Sequence, residues 1–144
     1  MIADQESSKS VGLKWKAGGW FGAQIGGTCW IAICAALLSV HSIGLAGTVF
    51  AIFVVTNVVG LLIWRGRNRI TAYKGMQALL LMIGVASLAS VYVIDRSDFW
   101  HVVGGFGGAV AVWQMYVLIP VMVAALLWLF WSLNKAGRKR SRSP

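Results

Sequence analysis

Four polar side chains inside long apolar stretches are the residues with which this chain could most simply do chemistry. An amide or hydroxyl group in hydrocarbon needs a hydrogen-bonding partner, because an unpaired polar group is costly there. Such a layer can join helices, or it can line a path for a solute. The sequence leaves both interpretations open for its polar layer, which consists of Gln24, Thr28, Asn57 and Gln77.

Two members of the polar layer lie at the same depth. Gln24 is eight residues after Lys16, and Asn57 is eight residues before Arg65. At 1.5 Å per residue, both lie about 12 Å below the same interface. We therefore predict a hydrogen bond between Gln24 and Asn57 on neighbouring helices. Such bonds average about 0.6 kcal/mol, so this one is expected to fix helix register more than stability.

A second group of chemically capable residues lies near the opposite ends of the apolar runs. Two imidazoles and two carboxylates form a ligand set that suits transition metals. Their spacing matches no metal motif, and the aspartate and histidine three residues apart resemble an ordinary helix-start pair. The sequence therefore predicts no metal and no cofactor, and it keeps this group only as a candidate ligand set: His41, Asp95, Asp98 and His101.

The positions of the acidic residues argue against coupled transport and catalysis. All four acids, Asp4, Glu6, Asp95 and Asp98, lie outside the apolar runs. A proton- or cation-coupled transporter usually needs a carboxylate within the membrane, since that group exchanges its charge. The sequence also offers no phosphate-binding loop and no pairing of a nucleophile with a base. We therefore expect a protein that is not an enzyme.

The elements that position these residues follow from the composition. Hydrophobic residues make up 58% of the chain and charged residues only 12%, where a soluble domain has about 25% charged. The apolar residues concentrate in runs of about 20, the length that a membrane-spanning helix needs. The sequence predicts an all-α integral membrane protein built as a four-helix bundle. A polar segment (1–16) precedes the bundle and a basic tail (134–144) follows it, with spans at about 17–40, 45–64, 75–94 and 113–133.

One Gly-rich apolar segment, at about 99–112, belongs to none of the four spans. Its four glycines make it a poor helix former. It could lie on the membrane surface, form part of a long tilted helix, or dip into the bilayer as a re-entrant loop. The last arrangement would favour a pore, because non-helical backbone is tolerated in a membrane only where it is buried in protein or lines water.

The basic residues predict how the chain is threaded. The net charge is +9, and every Lys and Arg except Arg96 falls in the N-terminal segment, the central loop or the tail. The positive-inside rule then places both termini in the cytoplasm. We expect these bases to meet anionic lipid headgroups rather than nucleic acid. The residues assigned to headgroups are Arg65, Arg67, Arg69, Lys74, Lys135, Arg138, Lys139, Arg140 and Arg142.

Small residues form two parallel rows at the start of the first span. Positions four apart share one face of a helix, and close backbone approach is what stabilises helix pairs in lipid. The rows therefore predict a helix-packing interface, either within the monomer or with another subunit. One row is Gly18, Gly22 and Gly26, and the other is Gly19, Ala23 and Gly27.

These features favour association with other membrane subunits as the biological role. A four-span chain of 144 residues has little room for an aqueous path of its own. We expect a packing or accessory subunit of a homo- or hetero-oligomeric membrane complex, recognised through the face formed by Gly18, Gly22 and Gly26. The alternative is an oligomeric channel or small-solute permease, including a holin-like pore, that uses the polar layer near Gln24 and Asn57.

Overall fold

Four long helices make up the fold. The structure is a computed structural model that describes residues 15–96 and 112–140, the last five as backbone only, and within these ranges it contains no strand. Each long helix is apolar enough over a sufficient length to cross a membrane, which confirms the predicted all-helical, four-span class. The Gly-rich segment lies outside the described residues except for Val112. The helices are α1 (Ala17–Ser39), α2 (Ile43–Arg65), α3 (Ala72–Asp95) and α4 (Val112–Arg140).

Two helices begin earlier than the apolar runs suggest, because a hydroxyl caps each of them. The side chain of Ser42 accepts a hydrogen bond from the Leu45 amide at 3.5 Å, and α2 begins at Ile43 rather than at residue 45. Thr71 accepts from the Lys74 amide at 3.4 Å, and α3 begins three residues before its predicted start. A capping hydroxyl satisfies one of the free amides of the first turn, so each of these helices begins directly after its capping residue.

The fourth helix is longer than its predicted span. It continues through Pro120 and ends at Arg140, so residues 134–140, predicted as the start of the basic tail, are helical. A proline inside a helix removes one backbone hydrogen bond, and α4 accommodates it. Lysine and arginine are favourable near a helix C-terminus, where they complement the helix dipole. The basic residues therefore extend the helix instead of ending it.

The packing of the helices is uneven. Helices α1 and α2 form a tight hairpin, α3 packs against both, and α4 packs against α3. Half of the residues in the apolar, membrane-spanning stretch of α3 are buried within the protein. In the corresponding stretch of α4, no residue is buried. The bundle is therefore a three-helix core with a peripheral fourth helix. Its main apolar cluster joins α1, α2 and α3 and consists of Ile31, Ala35, Leu38, Ala46, Val49, Ala86 and Ile94.

Candidate functional site

Three residues of the polar layer form one hydrogen-bonded group between α1 and α2, here called the polar clamp (Gln24, Thr28 and Asn57). The Gln24 Nε2 donates to the Asn57 backbone carbonyl at 2.7 Å and to its Oδ1 at 3.2 Å. The Asn57 Nδ2 donates to the Thr28 Oγ1 at 3.1 Å. The structure thus contains the hydrogen bond that the matching depths predict, and Thr28 takes part as well.

The polar clamp is closely packed, because α2 has no side chain at the contact. A Cβ added at Gly60 would lie 2.6 Å from the Gln24 Cδ, so the Gln24 amide rests on the α2 backbone. Gln24 is 3% exposed and Thr28 is fully buried. The Gln24 Oε1 has no hydrogen-bond partner among the described residues. None of the three side chains titrates near neutral pH, so the clamp suits the fixing of helix register rather than acid–base chemistry.

Gln77 lies apart from the polar clamp. Its side chain is half-buried on α3, and its Nε2 donates to the Tyr73 hydroxyl at 2.8 Å, one turn earlier on the same helix. The structure therefore brings together three of the four predicted polar-layer residues and places the fourth elsewhere.

The two glycine rows of α1 face different surroundings. Gly18, Gly22 and Gly26 form what we call the outer glycine face: all three are exposed, and a Cβ added at any of them would meet no described atom within 4 Å. In the other row, a Cβ at Gly27 would lie 3.1 Å from the Ile83 side chain of α3. Gly18 and Gly22 therefore lie in open space away from the bundle, and Gly27 of the other row faces α3.

A long groove, here called the α1–α4 groove, separates the first helix from the fourth. Its volume is about 940 Å³, and α3 forms its floor. It follows α1 from Lys16 to Cys34, about 27 Å at 1.5 Å per residue, which is close to the roughly 30 Å thickness of a bilayer core. The lining is apolar almost throughout, and Lys16 is the one charged residue in it. Gly19, Ala23, Gly26 and Gly27 line its α1 wall.

Aromatic side chains join three segments at the Lys16 end of the bundle. The ring centres of Trp15, Trp20 and Trp64 lie 5.0 to 5.9 Å from one another. The Trp15 Nε1 donates to the Ile70 carbonyl at 3.3 Å, and its ring occupies the space where a side chain at Gly75 would stand. The cluster ties the start of α1 to the end of α2 and to the beginning of α3.

This aromatic cluster was not predicted as a unit. The sequence signal was tryptophan at span ends, which is common at membrane interfaces. That signal alone does not tell which tryptophans meet, because the meeting depends on the glycine at residue 75 and on the turn between α2 and α3.

The predicted headgroup-binding residues that the structure describes lie at or beside the ends of helices. Four of them are exposed in or beside the connection between α2 and α3, and the Arg67 guanidinium lies 5.0 Å from the Trp64 ring centre. Lys135 is exposed on α4, with its ammonium 4.9 Å from the Trp131 ring centre. Residues 138–140 belong to the backbone-only end of α4, and Arg142 lies outside the described residues. The four at the connection are Arg65, Arg67, Arg69 and Lys74.

Two of the four candidate metal ligands, His41 and Asp95, lie at the opposite end of the bundle. His41 and Asp95 are exposed, and the Tyr116 hydroxyl donates to the Asp95 Oδ2 at 3.4 Å, which links α3 to α4. Asp98 and His101 lie outside the described residues. Within residues 15–96 and 112–140, no three His, Cys, Asp or Glu side chains are grouped so that they could hold a metal ion.

Comparison with known protein families, with curated proteins and with solved structures finds no match for this chain.

Proposed function

We propose that this protein is a packing or accessory subunit of a membrane complex, and that its outer glycine face binds a transmembrane helix of another subunit. The observation that carries the proposal is the open space around Gly18, Gly22 and Gly26. Each glycine costs a helix interior about 1 kcal/mol relative to alanine. A partner helix recovers that cost, since small residues allow the close backbone approach that stabilises helix pairs in lipid.

The surroundings of the outer glycine face support a helix as its partner. Ile25 and Ile33 are exposed beside it, at 57% and 58%. A strip of glycine bordered by bulky aliphatic side chains has the shape of a small-xxx-small helix contact, in which the neighbours pack around the crossing point. The partner in this proposal is a second copy of the chain or an unlike subunit.

The proposal includes a threading for the four helices. Because α1 to α4 alternate in direction, the start of α1, the connection between α2 and α3, and the end of α4 share one end of the bundle. We place that end in the cytoplasm, since it carries the basic residues and the positive-inside rule applies to short loops. The exposed bases around Trp64 then lie at the depth of anionic lipid headgroups.

The polar clamp supports an accessory role more than it supports a channel. Gln24 and Thr28 are buried against α2 and bonded to Asn57. A solute path through this layer would require those bonds to open, and each hydrogen bond broken without replacement in hydrocarbon is costly. The oligomeric channel, including a holin-like pore, therefore stays the alternative.

Native mass spectrometry of the protein, purified from its own membrane in mild detergent, tests the proposal. Unlike subunits, or a small assembly of identical copies that carries no flux in liposomes, would support the accessory role. A ring of identical copies that conducts solutes would favour the channel. A monomer with no partner at every detergent concentration tested would contradict both.

A further inference from the structure

The α1–α4 groove differs from the outer glycine face in shape and in charge. We propose that it binds an anionic glycerophospholipid, with the headgroup phosphate at Lys16 and an acyl chain lying along α1. This site adjoins the helix contact proposed above and shares Gly26 with it, whereas Gly18 and Gly22 do not line the groove.

The length of the groove suits an acyl chain. The groove follows α1 from Lys16 to Cys34, about 27 Å at 1.5 Å per residue. A hydrocarbon chain can lie along this apolar lining from its charged end.

The charge of the groove favours an anionic headgroup at one end. Lys16 is its one charged lining residue, is exposed, and makes no capping hydrogen bond with its side chain. Its position is fixed by the neighbouring Trp15, which donates to the Ile70 carbonyl and packs over Gly75. A lysine held at a membrane interface attracts the phosphate of an anionic lipid.

The depth of the open α1 wall matches one leaflet. From Lys16 to Gly26 the helix rises about 15 Å, which is half of a hydrocarbon core about 30 Å thick. Within that distance, a Cβ added at Gly19 or Gly26 would meet no described atom within 4 Å. A chain whose headgroup is at Lys16 can therefore lie directly against the α1 backbone.

The other surfaces of the groove suit an acyl chain as well. At the depth between Lys16 and Gly26, α3 contributes Met76 and Leu80 to the groove, and α4 contributes Leu126 and Phe130. These side chains offer no hydrogen bonds, and methionine adapts its shape to irregular apolar partners. An acyl chain needs only such a lining, because it has no polar group to satisfy.

The test is native mass spectrometry of the full chain, titrated with phosphatidylglycerol and, separately, with phosphatidylcholine bearing the same acyl chains. We expect tighter binding of phosphatidylglycerol. Lys16→Gln should weaken that binding roughly fivefold and leave phosphatidylcholine unchanged, because it removes one lysine near the headgroup. Gly19→Leu should weaken binding of both lipids, because the new side chain begins in the open space of the groove.

Two glycine variants serve as matched controls. Gly18→Leu changes the neighbouring residue on the outer glycine face, and Gly47→Leu changes an exposed glycine on α2, and neither residue lines the groove. Both variants should bind the lipids as the unaltered chain does. If Gly18→Leu alone loses its partner subunit, that result bears on the proposed helix contact and not on the lipid site. Equal binding of the two lipids, with no effect of Lys16→Gln, would overturn the lipid site. So would a Gly19→Leu variant that keeps its lipid and loses a subunit, because the groove would then hold a helix.

Discussion

The backbone of Gly60 on α2 lies against the side-chain amide of Gln24 on α1, so closely that a Cβ at Gly60 would stand 2.6 Å from the Gln24 Cδ. This contact explains how a buried glutamine reaches the Asn57 carbonyl at 2.7 Å. The Gln24 amide fills the space that Gly60 leaves without a side chain, so the register of the α1–α2 hairpin depends on both residues.

Gly60→Ala should therefore destabilise the protein, although alanine is the better helix former. The added methyl group overlaps Gln24, and overpacking of this kind costs about 1–3 kcal/mol. Unfolding in mixed micelles, followed by circular dichroism as the denaturing detergent increases, measures the change. The matched control is Gly47→Ala on the same helix, where a Cβ meets no described atom within 4 Å. Equal stability of the two variants would show that Gln24 does not rest on Gly60.

A double-mutant cycle measures the coupling inside the polar clamp. We expect Gln24→Leu and Asn57→Leu to be coupled by about 0.6 kcal/mol, the average for hydrogen bonds between membrane helices. The coupling is modest because Gln24 keeps its shorter bond, to the backbone carbonyl of residue 57, when the Asn57 side chain is removed. Thr48→Val, at an exposed hydroxyl on α2 that bonds only its own helix at Gly44, is a control. A coupling energy of zero would mean that the side chains do not meet.

The packing of the Trp15 ring against Gly75 gives a third prediction. Gly75→Ala should move the indole ring, because the ring fills the space where the Cβ would stand. We expect a loss of about 1–3 kcal/mol in the free energy of unfolding. Gly66→Ala, also near the connection but with open space around it, should cost much less. If the two variants unfold alike, Trp15 does not tie α1 to α3.

Much of the fold could be predicted from the sequence, because membrane spans depend on apolar length alone. The four spans and the shared depth of Gln24 and Asn57 follow from counting residues. The helix starts at Ile43 and Ala72 do not, since they depend on the capping hydroxyls of Ser42 and Thr71, which a count of apolar residues leaves out. The helical residues 134–140 were missed for a similar reason.

The surfaces were harder to predict than the spans. The sequence shows that Gly22 and Ala23 belong to small-residue rows, but it does not tell which row faces a neighbour. That depends on the rotation of α1, which Gln24, Thr28 and the aromatic cluster set together. The position of α4 against α3 alone also leaves no signal in the composition, because every face of α4 is apolar.

The threading can be tested by cysteine labelling in cells, in a chain whose native cysteines are replaced. A membrane-impermeant maleimide added outside should label His41→Cys, which lies in the connection between α1 and α2. Asn68→Cys, in the connection between α2 and α3, should react only after permeabilisation. Neither change removes a Lys or Arg, so the charge pattern that sets the orientation is kept. Labelling of Asn68→Cys in intact cells would reverse the proposed orientation.

The most direct measurement of the central proposal is the effect of Gly22→Leu on the assembly seen by native mass spectrometry. Gly22 lies in the middle of the outer glycine face, and a Cβ added there meets no described atom within 4 Å. We predict that this variant folds, binds lipid in the α1–α4 groove and loses the partner subunit, while Gly47→Leu keeps it. A Gly22→Leu protein that retains the full assembly would contradict the account, because the glycine face would then bind no helix.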